Sequence, residues 1–502
     1  MTYVGMDFID GEWYPNRPDF SSYNPSTEAE IGIFPQSTNE EVTKAVQAAR
    51  KAQPAWHALS RINRAEYFDR LCQIVKEETP HIVKCISQET GKTKNESLAE
   101  VNESLHMAQF VFGKGREPCG EVVASEIALK DSYIIRKPKG VVVVISPWNF
   151  GWAIGGFWCA APALLEGNTV VFKPSEDTPI IGQIIAELYK EAGFPPGVFN
   201  LIHGDGQVGD MLVRQDVDHI CFTGSAEVGQ HIRKVCADSW HKTCSCEMGS
   251  KSAVMVFADG DIELALNAAI ASAYKLSGQR CVSASRILVE KSIFTEFANK
   301  FVEMSKRVKV GDPLDEDNPD VMMGPLINKN QLDRVREFNR LASADEYTQV
   351  LLDASRPEVG NEDLRSCNGK GHFLTPFVYT TQWQVPEKRP FLVQEVFGPH
   401  VCLIPFDGLD EAIAIYNDTE YGLALGVVTS DMKKAREVRE RADYGLGYWN
   451  SGSIAAESHL PFTGVKKSGV GGGSAAATFD AVTHKVTWTV NHGPLSFPQG
   501  LR

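Results

Sequence analysis

Short apolar runs alternate with amphipathic stretches through the middle of the chain. Five runs are predicted as buried strands: GVVVVIS (140–146), TVVFKP (169–174), VFNLIH (198–203), HICFTG (219–224) and SAVMVF (252–257). Helical spacing of apolar residues marks four stretches that lie between them: 155–166, 179–193, 206–215 and 227–238. Nearly continuous apolar strands that alternate with helices are typical of a parallel sheet covered on both faces. The pattern therefore predicts an α/β domain.

A second α/β region is predicted further along the chain. Its strands and helices are SRILVE, 292–308, CLIPF, 409–418, GVVTS and 431–443. A helix is expected from Glu263 to Gly278, and the stretch 311–390 is expected to be rich in loops. Two charged helices are predicted at 39–58 and 60–90.

Two β-prone segments stand apart from both α/β regions. One covers 118–138, and the other is a lone strand at 484–491 near the end of the chain. A lone strand needs a partner for its backbone hydrogen bonds. That partner is expected to be either the earlier segment or a strand of another subunit.

The composition favours a globular protein that works on a small molecule. The chain has 502 residues, 43% of them hydrophobic, and a formal net charge of −14. An acidic chain without a basic face argues against a nucleic-acid partner. The first residues lack the basic and apolar regions of a signal peptide, and 11 cysteines are ordinary for a reducing compartment. We therefore expect a cytoplasmic protein.

Two local features are interpreted as structural. The uncharged stretch 141–165 is long enough to span a bilayer, but Pro147 interrupts it. We expect a buried strand, a loop and a helix there, and no membrane span. Cys244 and Cys246 form a C-x-C pair without the further ligands that a zinc site needs. We expect no metal site and interpret these cysteines as strand residues on opposite faces.

Three loops compete as the binding site for a dinucleotide. HGDGQVGD contains a G-x-G-x-x-G pattern, whose middle glycine, Gly206, opens a predicted helix. One strand later, Gly224 makes a turn and Ser225 can cap a helix whose free N–H groups suit a diphosphate. On the preceding strand, Lys173 and Glu176 stand at the carboxyl edge and suit ribose hydroxyls. Because a carboxylate at 176 repels a 2′-phosphate, NAD is favoured over NADP.

A thiol, a carboxylate and an amide are predicted near the ends of strands. Cys281 follows Arg280 in a turn that ends a helix, and nearby positive charge activates a thiol. Glu247 and Asn149 each follow a predicted strand. Together these groups suit covalent acyl chemistry, although a buried structural thiol is the alternative for any single cysteine.

Seven ordered motifs resemble those of the aldehyde dehydrogenase superfamily. They are PWNF, KPSE, FTGS, EMGSK, GQRC, QEVFGP and PFTGVKKSG, and the resemblance runs from about residue 8 to about 490. It implies NAD(P)-dependent oxidation of an aldehyde to a carboxylic acid. It also implies a Rossmann-like NAD-binding domain (1–118 and 139–249), an α/β catalytic domain (250–465) and a small β oligomerisation segment (119–138 and 482–495).

The resemblance assigns expected roles to individual residues. Cys281 matches the nucleophile that forms a thiohemiacetal and then a thioester, Glu247 the general base, and Asn149 an oxyanion donor. The expected cofactor contacts are Ser146, Pro147, Trp148, Lys173, Ser175, Glu176, Gly206, Gly224, Ser225, Gly249, Glu395 and Phe397. A homodimer or homotetramer is expected as well.

Some positions depart from the family pattern, and the substrate stays open. Gly151, Met248, Ser250 and Thr463 replace more usual residues, but none of them removes a catalytic group. There are three alternatives to a hydrolytic aldehyde dehydrogenase: a CoA-acylating enzyme, a thiol hydrolase or transferase without a redox step, and a non-catalytic nucleotide-binding relative.

The small, polar segment SGSIAAESHL favours a polar, amino-acid-derived semialdehyde as the substrate. The alternative is an aliphatic aldehyde in an apolar funnel lined by Phe150, Trp152, Phe157 and Trp158.

Overall fold

The N-terminal part of the chain combines short strands with three long helices. The computed structural model describes residues 2–15, 17–317, 319–353, 370–383 and 389–494. The first elements are β1 (Tyr3–Val4), β2 (Asp7–Ile9), β3 (Glu12–Tyr14), β4 (Pro18–Tyr23), β5 (Glu30–Pro35), α1 (Asn39–Ala58), α2 (Arg61–Thr90) and α3 (Lys94–Lys114). The helices α1 and α2 match their predicted positions, and α1 and α3 begin with a capping box.

The next part of the chain alternates strands with helices. Its elements are β6 (Gly120–Val123), β7 (Lys130–Pro138), β8 (Val141–Ile145), a π-helix (Gly151–Cys159), α4 (Ala160–Leu165), β9 (Thr169–Lys173), α5 (Pro179–Glu191), β10 (Phe199–Leu201), α6 (Gly206–Arg214), β11 (His219–Thr223), α7 (Ala226–Ala237) and β12 (Thr243–Glu247). The helix predicted at 155–166 begins earlier than expected, as a π-helix directly after the PWNF motif. The four valines of β8 are fully buried, as a parallel strand covered on both faces requires.

The remaining elements form the second α/β region and the tail. They are β13 (Ala253–Val256), α8 (Ile262–Tyr274), β14 (Arg286–Glu290), α9 (Phe294–Lys306), α10 (Lys329–Ala344), β15 (Thr348–Leu352), β16 (Phe377–Thr381), α11 (Pro390–Val393), β17 (His400–Phe406), α12 (Gly408–Asn417), β18 (Tyr421–Gly422), β19 (Ala424–Val428), α13 (Met432–Arg441), β20 (Leu446–Trp449), β21 (Pro461–Phe462), β22 (Val465–Lys466), β23 (Gly469–Val470), β24 (Ser474–Ala475), α14 (Thr478–Ala481) and β25 (Thr483–Asn491). Short 3-10 turns follow α8 and β14.

Two large sheets organise these elements. The first has the order β23-β12-β11-β8-β9-β10-β2-β3, and its strands from β12 to β10 are parallel. The second has the order β15-β16-β17-β14-β13-β19-β20 and is parallel from β16 to β20. This architecture confirms the predicted fold class. The register pairs Ile145 with Lys173 and Thr223 with Glu247, so the loops after these strands leave the sheet at one edge.

A third, small sheet joins the two β-prone segments. Its order is β25-β7-β6, and β25 pairs antiparallel with β7 along its whole length, with Trp488 opposite Tyr133. The lone strand therefore finds its partner within the same chain. Several apolar side chains of this region stay exposed, among them Val122, Leu129 and Trp488. Residue 495, the last of the predicted oligomerisation segment, lies outside the described residues.

The structure corrects two expectations. The stretch 311–390 was expected to be rich in loops, but it contains α10, a 16-residue helix that Asn328 caps by accepting from the N–H of Gln331. Leu332, Val335 and Phe338 recur every three residues and are buried, so helical spacing was present in the sequence. Cys244 and Cys246 share one face of β12, because alternate residues of a strand point the same way.

A carboxylate from another helix caps α5. Thr178 precedes this helix but makes no side-chain capping bond. Glu89, at the end of α2 and fully buried, accepts from the N–H groups of Ile180 at 2.8 Å and Ile181 at 2.9 Å. It also accepts from Ser22 Oγ at 2.9 Å. Burial raises the pKa of Glu89 to about 8, and these three donors oppose that rise.

We predict that Glu89→Ala destabilises the protein by about 2–4 kcal/mol, because two N–H groups at the start of α5 lose their acceptor inside the core. Urea unfolding followed by tryptophan fluorescence measures this change. Glu191→Ala is the matched control at the exposed end of the same helix, and we expect it to change stability by less than about 0.5 kcal/mol. Equal midpoints for both variants would contradict the capping role.

Candidate active site

The loop after β8 carries Asn149 towards the segment that holds Cys281. Ser146 extends the ladder between β8 and β9 by donating its N–H to the carbonyl of Lys173 at 3.2 Å. Asn149 is 5% exposed, and its Nδ2 donates to the backbone oxygen of Gln279 at 2.9 Å. An amide nitrogen has two hydrogens, so Asn149 keeps one donor for another acceptor.

Cys281 follows a left-handed turn at the end of α8. Leu276 and Ser277 have φ angles of 54° and 53°, and Gly278 continues the turn at 72°. A left-handed backbone conformation costs about 1–2 kcal/mol for each non-glycine residue, so other contacts must stabilise this turn. Three groups from distant parts of the chain make such contacts. Glu96 Oε1 accepts from the N–H of Leu276 at 2.7 Å, and the carbonyl of Gly324 accepts from Ser277 Oγ at 2.7 Å. The N–H of Ile327 donates to Gln279 Oε1 at 3.0 Å.

The thiol of Cys281 is half-buried, and its pKa is raised to about 12. Burial is the main cause, and the carboxylates of Glu395 and Glu247 add to it. The backbone N–H groups of Val282 and of Cys281 itself act in the opposite direction. The net rise in pKa is opposite to the activation expected from Arg280, so a base must receive the proton of the thiol when the sulfur attacks.

Glu247 ends β12 as a buried carboxyl group. It is 3% exposed, and within the described residues neither of its carboxylate oxygens accepts a well-formed hydrogen bond. Burial raises the pKa of Glu247 well above its usual range, and the nearby backbone of Gly464 does not offset this rise. A buried carboxyl group without a partner is costly, and such groups concentrate where protons are exchanged.

Lys173 and Glu176 lie at the carboxyl end of β9, as the sequence predicts. Lys173 is 3% exposed and donates from Nζ to the carbonyl of Pro174 at 2.8 Å. Its Nζ lies 3.9 Å from Glu176 Oε2, and the Glu176 side chain is about half exposed. Burial lowers the pKa of Lys173, and the charge of Glu176 opposes this effect. Ser175 lies between the two and is half-buried.

The two candidate phosphate loops begin neighbouring helices. Ser225 is exposed and caps α7, accepting from the N–H of Val228 at 3.3 Å. Gly224 precedes it, and its N–H donates to the carbonyl of Glu247 at 3.0 Å. Gly206 begins α6, and a Cβ added to it would meet nothing within 4 Å, so the space beside it is open.

Glu395 is a second carboxyl group whose charge acts on the thiol. Its Oε1 accepts from the N–H of Ser250 at 2.8 Å, and burial raises the pKa of Glu395 to about 7. A Cβ added to Gly249 would lie only 2.4 Å from Glu395 Oε2, so the carboxylate depends on glycine at that position. Phe397 has a φ of 62°, and its ring meets that of Trp148 edge-on, with centroids 5.4 Å apart.

The departures from the motif pattern leave these groups in place. The Oγ of Ser250 donates to the backbone oxygen of Cys281, and it also hydrogen-bonds Ser252 Oγ at 2.9 Å. Gly151 begins the π-helix, where an added Cβ would lie 3.4 Å from Thr178 Oγ1.

Ser146 and Pro147 are two further expected cofactor contacts. Ser146 is buried without a hydrogen bond to its Oγ among the described residues, and Pro147 beside it is half-buried.

Sequence reasoning missed the residues that hold the nucleophile turn. Glu96 is the chief example, because its T-x-x-E pattern with Thr93 predicts only a helix cap. The structure shows that Glu96 Oε2 makes the capping bond while Oε1 holds Leu276. That second contact joins residues 180 positions apart, and no local pattern contains it.

These features define an oxidoreductase that combines a dinucleotide-binding sheet with a half-buried thiol. The family model of the aldehyde dehydrogenase family matches residues 13–487. The chain belongs to this family, whose members oxidise aldehydes with NAD(P). Within the described residues, no helix is long and apolar enough to cross a membrane.

Several relatives cover nearly the whole chain. It is 35% identical to α-ketoglutaric semialdehyde dehydrogenase of Bacillus subtilis, over 92% of this chain and 93% of the relative. It is 33% identical to human 2-aminomuconic semialdehyde dehydrogenase, over 97% and 98%. Among solved structures, it matches betaine aldehyde dehydrogenase of Staphylococcus aureus in complex with NAD+, with a TM-score of 0.89, 30% identity and coverage of 99% and 96%.

We predict that Glu96→Gln lowers kcat for aldehyde oxidation by about tenfold, because glutamine cannot offer an acceptor to both the helix cap and Leu276, and a displaced nucleophile reacts slowly. The KM for the dinucleotide should stay within about twofold, since its expected contacts lie elsewhere. NADH absorbance measures both quantities.

The matched control is Thr93→Ala, which weakens the same helix cap but leaves the acceptor of Leu276 in place. It should lower the melting temperature and keep kcat within about twofold of wild type. If the two variants lose kcat equally, Glu96 acts through helix stability and not through the turn.

Proposed function

We propose that the protein is a hydrolytic, NAD-preferring aldehyde dehydrogenase that uses Cys281, Glu247 and Asn149. The observation that carries this proposal is the buried carboxyl group of Glu247, which lacks a well-formed hydrogen bond and is near enough to raise the pKa of the Cys281 thiol. A base in that position can serve both proton transfers that a thiol-dependent oxidation followed by hydrolysis requires.

Cys281 attacks the aldehyde carbon, and its proton passes to Glu247 as the C–S bond forms. The free hydrogen of Asn149 Nδ2 and the backbone N–H of Cys281 hold the oxygen of the thiohemiacetal. NAD, when bound, supplies the hydride acceptor that turns this adduct into a thioester. Glu247 releases the first proton to solvent and then takes a proton from water, whose oxygen attacks the thioester carbon. The C–S bond breaks, the carboxylic acid leaves, and the proton on Glu247 returns to the sulfur of Cys281.

The expected cofactor contacts fit an NAD molecule. Lys173 and Glu176 suit the hydroxyls of the adenosine ribose, and the exposed N–H groups at the start of α7 suit a diphosphate. Glu395, half-buried beside Gly249, suits the hydroxyls of the nicotinamide ribose. A half-exposed carboxylate at 176 disfavours a 2′-phosphate, although one relative, from Picrophilus torridus, is a D-glyceraldehyde dehydrogenase (NADP(+)).

Glu247 also argues against the alternatives. A CoA-acylating enzyme does not need a buried base to activate water, and a non-catalytic nucleotide-binding relative has no use for an uncompensated carboxyl group beside a thiol. A thiol hydrolase without a redox step would not need Lys173, Glu176 and Glu395.

For the substrate we propose a polar, amino-acid-derived semialdehyde. Trp152, Phe157 and Trp158 are almost fully buried in the π-helix and pack into the core, so they are not available to line an apolar funnel. Phe150 alone is half-buried. Two of the relatives named above are semialdehyde dehydrogenases, which agrees with a polar tail.

We further propose a cytoplasmic homo-oligomer, dimeric or tetrameric, assembled through the small sheet. The strand β6 is exposed along its length at the edge of that sheet, and Val122 and Trp488 are 79% and 63% exposed. An exposed strand edge with apolar side chains is a surface that proteins normally cover.

We predict that Cys281→Ala abolishes NADH formation with every aldehyde, whereas Glu247→Gln lowers the steady-state rate at least about a hundredfold. Because Glu247→Gln blocks hydrolysis of the thioester, a first turnover of NADH should remain visible in stopped-flow absorbance at high pH. A wild-type protein that forms no NADH with any aldehyde would disprove the enzyme proposal. NADH formation that requires CoA would establish the acylating alternative.

We predict that wild-type kcat/KM is at least about tenfold higher for L-aspartate β-semialdehyde than for hexanal, because the small, polar segment SGSIAAESHL offers little apolar surface to an aliphatic tail. Initial NADH rates over a range of each aldehyde measure the ratio. A preference for hexanal would exclude a polar substrate.

A further inference from the structure

The backbone carbonyl of Cys281 accepts a hydrogen bond from a serine side chain. Ser250, three residues after Glu247, is buried and donates from its Oγ to this carbonyl. A carbonyl oxygen can only accept, so the hydroxyl gives its one hydrogen to this bond. Ser250 therefore acts on the backbone of the residue that carries the thiol.

A chain of hydrogen bonds holds the side chain of Ser250. Its Oγ lies 2.9 Å from Ser252 Oγ and accepts from the N–H of Ser252 at 3.3 Å. Because Ser250 gives its hydrogen to Cys281, Ser252 must be the donor between the two hydroxyls. Ser252 Oγ in turn accepts from the N–H of Ala424, in β19, at 3.2 Å. The chain thus runs in one direction from β19 to Cys281, and bonds in such a chain strengthen one another.

A second serine holds the next carbonyl along the chain. Ser453, in the segment SGSIAAESHL, is fully buried, and its Oγ donates to the carbonyl of Val282 at 2.6 Å. The N–H of Ser453 donates to Ser272 Oγ, in α8, at 3.0 Å. Hydroxyls from two separate parts of the chain therefore fix the peptide groups on both sides of Val282.

The planar peptide group converts the contact at Cys281 into control of an N–H direction. The C=O of Cys281 and the N–H of Val282 belong to one trans peptide group and point in opposite directions. Burial raises the pKa of the Cys281 thiol, and the N–H of Val282 is one of two backbone donors that oppose this rise. A backbone N–H that faces the sulfur stabilises the thiolate. The hydroxyl that fixes the carbonyl therefore also fixes a donor to the sulfur.

We propose that Ser250 is a positioning residue, which directs the N–H of Val282 at the sulfur of Cys281 and so increases the share of thiolate available for attack. The inference rests on the proposed function, in which Cys281 is the nucleophile, and adds a residue to it. The side chain of Ser250 acts through the peptide group. Its backbone N–H, which donates to Glu395 Oε1, would remain in any variant without the hydroxyl.

The charged groups around the thiol stay the same when the hydroxyl is removed. The carboxylates are Glu247, at the end of β12, and Glu395, after α11, and both act on the thiol. The guanidinium of Arg280 precedes the thiol in the sequence, and the charge of the thiol acts on the phenol of Tyr448, in β20. A change in the thiolate population of a Ser250 variant would therefore come from the lost hydrogen bond.

Alkylation of Cys281 in the full-length protein, without NAD or aldehyde, tests this inference. Iodoacetamide and N-ethylmaleimide are uncharged, differ in size and both react with the thiolate. Mass spectrometry of the peptide that contains Cys281 follows this residue separately from the other cysteines, at several values between about pH 7.5 and about pH 9.5. A smaller thiolate population slows both reactions by one factor at every pH, whereas altered access to the thiol changes the ratio of the two rates.

We expect Ser250→Ala to slow both reactions by about three- to tenfold at each pH, with the ratio of the two rates as in the wild type. If Ser250→Ala does not fold, Ser250→Gly removes the same hydroxyl and should give the same result. The control is Thr169→Val, which removes a buried hydroxyl that donates to the carbonyl of Ala49 at 2.9 Å. It lies at the opposite end of β9 from the carboxyl edge, and both rates should stay within about twofold of wild type.

The outcomes separate the inference from the proposed function. Wild-type or faster alkylation in the Ser250 variants, or a changed ratio of the two rates, would overturn the role of Ser250. Equal slowing in Thr169→Val would also overturn it, because the loss would then follow from general destabilisation. Aldehyde oxidation would stand in each case, since neither NAD nor aldehyde takes part in the measurement. If the wild type forms no NADH with any aldehyde, the proposed function itself fails.

Discussion

The left-handed turn from Leu276 to Gly278 is the constraint on which the active site depends. Without it α8 would continue in its own direction, and Cys281 would not reach the carboxyl edge of the first sheet. The turn is unfavourable by itself, at about 1–2 kcal/mol for each of its two non-glycine residues. It persists because α3 and the segment after residue 323 supply hydrogen bonds to it. The position of the thiol is thus fixed by parts of the chain that carry no reacting group.

The charges around the thiol follow from the same arrangement. The charges of Glu247 and Glu395 both act on Cys281, and Glu247 is buried whereas Glu395 is half-buried. Each carboxylate makes a thiolate less stable, so the resting enzyme holds a protonated, unreactive sulfur. Such a site restrains side reactions of the thiol and makes attack depend on a base that can take the proton. The backbone N–H of Ser250 and the space beside Gly249 keep Glu395 in place, and the side chain at position 250 takes no part in this contact.

Most of the fold could be predicted from the sequence alone, because buried parallel strands and amphipathic helices have recognisable patterns of apolar residues. The helix α10 was missed although its apolar spacing was present, since the flanking residues suggested loops. Cys281, Glu247 and Asn149 could be selected because each lies in a recognisable motif. The role of Glu96 could not be foreseen, because it depends on a contact between α3 and a turn 180 residues away. The aromatic residues after PWNF were ambiguous for a related reason, since burial in a π-helix is not visible in their spacing.

The strand β12, which ends at Glu247, pairs with β23, a strand that lies more than 200 residues later in the chain. Gly469 and Val470 of β23 pair with Glu247 and Cys246, and the carbonyl of Ser468 accepts from the N–H of Met248 at 2.7 Å. On a ribosome, the residues of the first sheet up to β12 emerge long before β23 is made. The nascent protein must therefore hold an open sheet edge next to its future base until β23 has been made. Loss of the last 35 residues would leave six of the seven motifs intact, shorten PFTGVKKSG by two residues and leave the edge beside Glu247 uncovered.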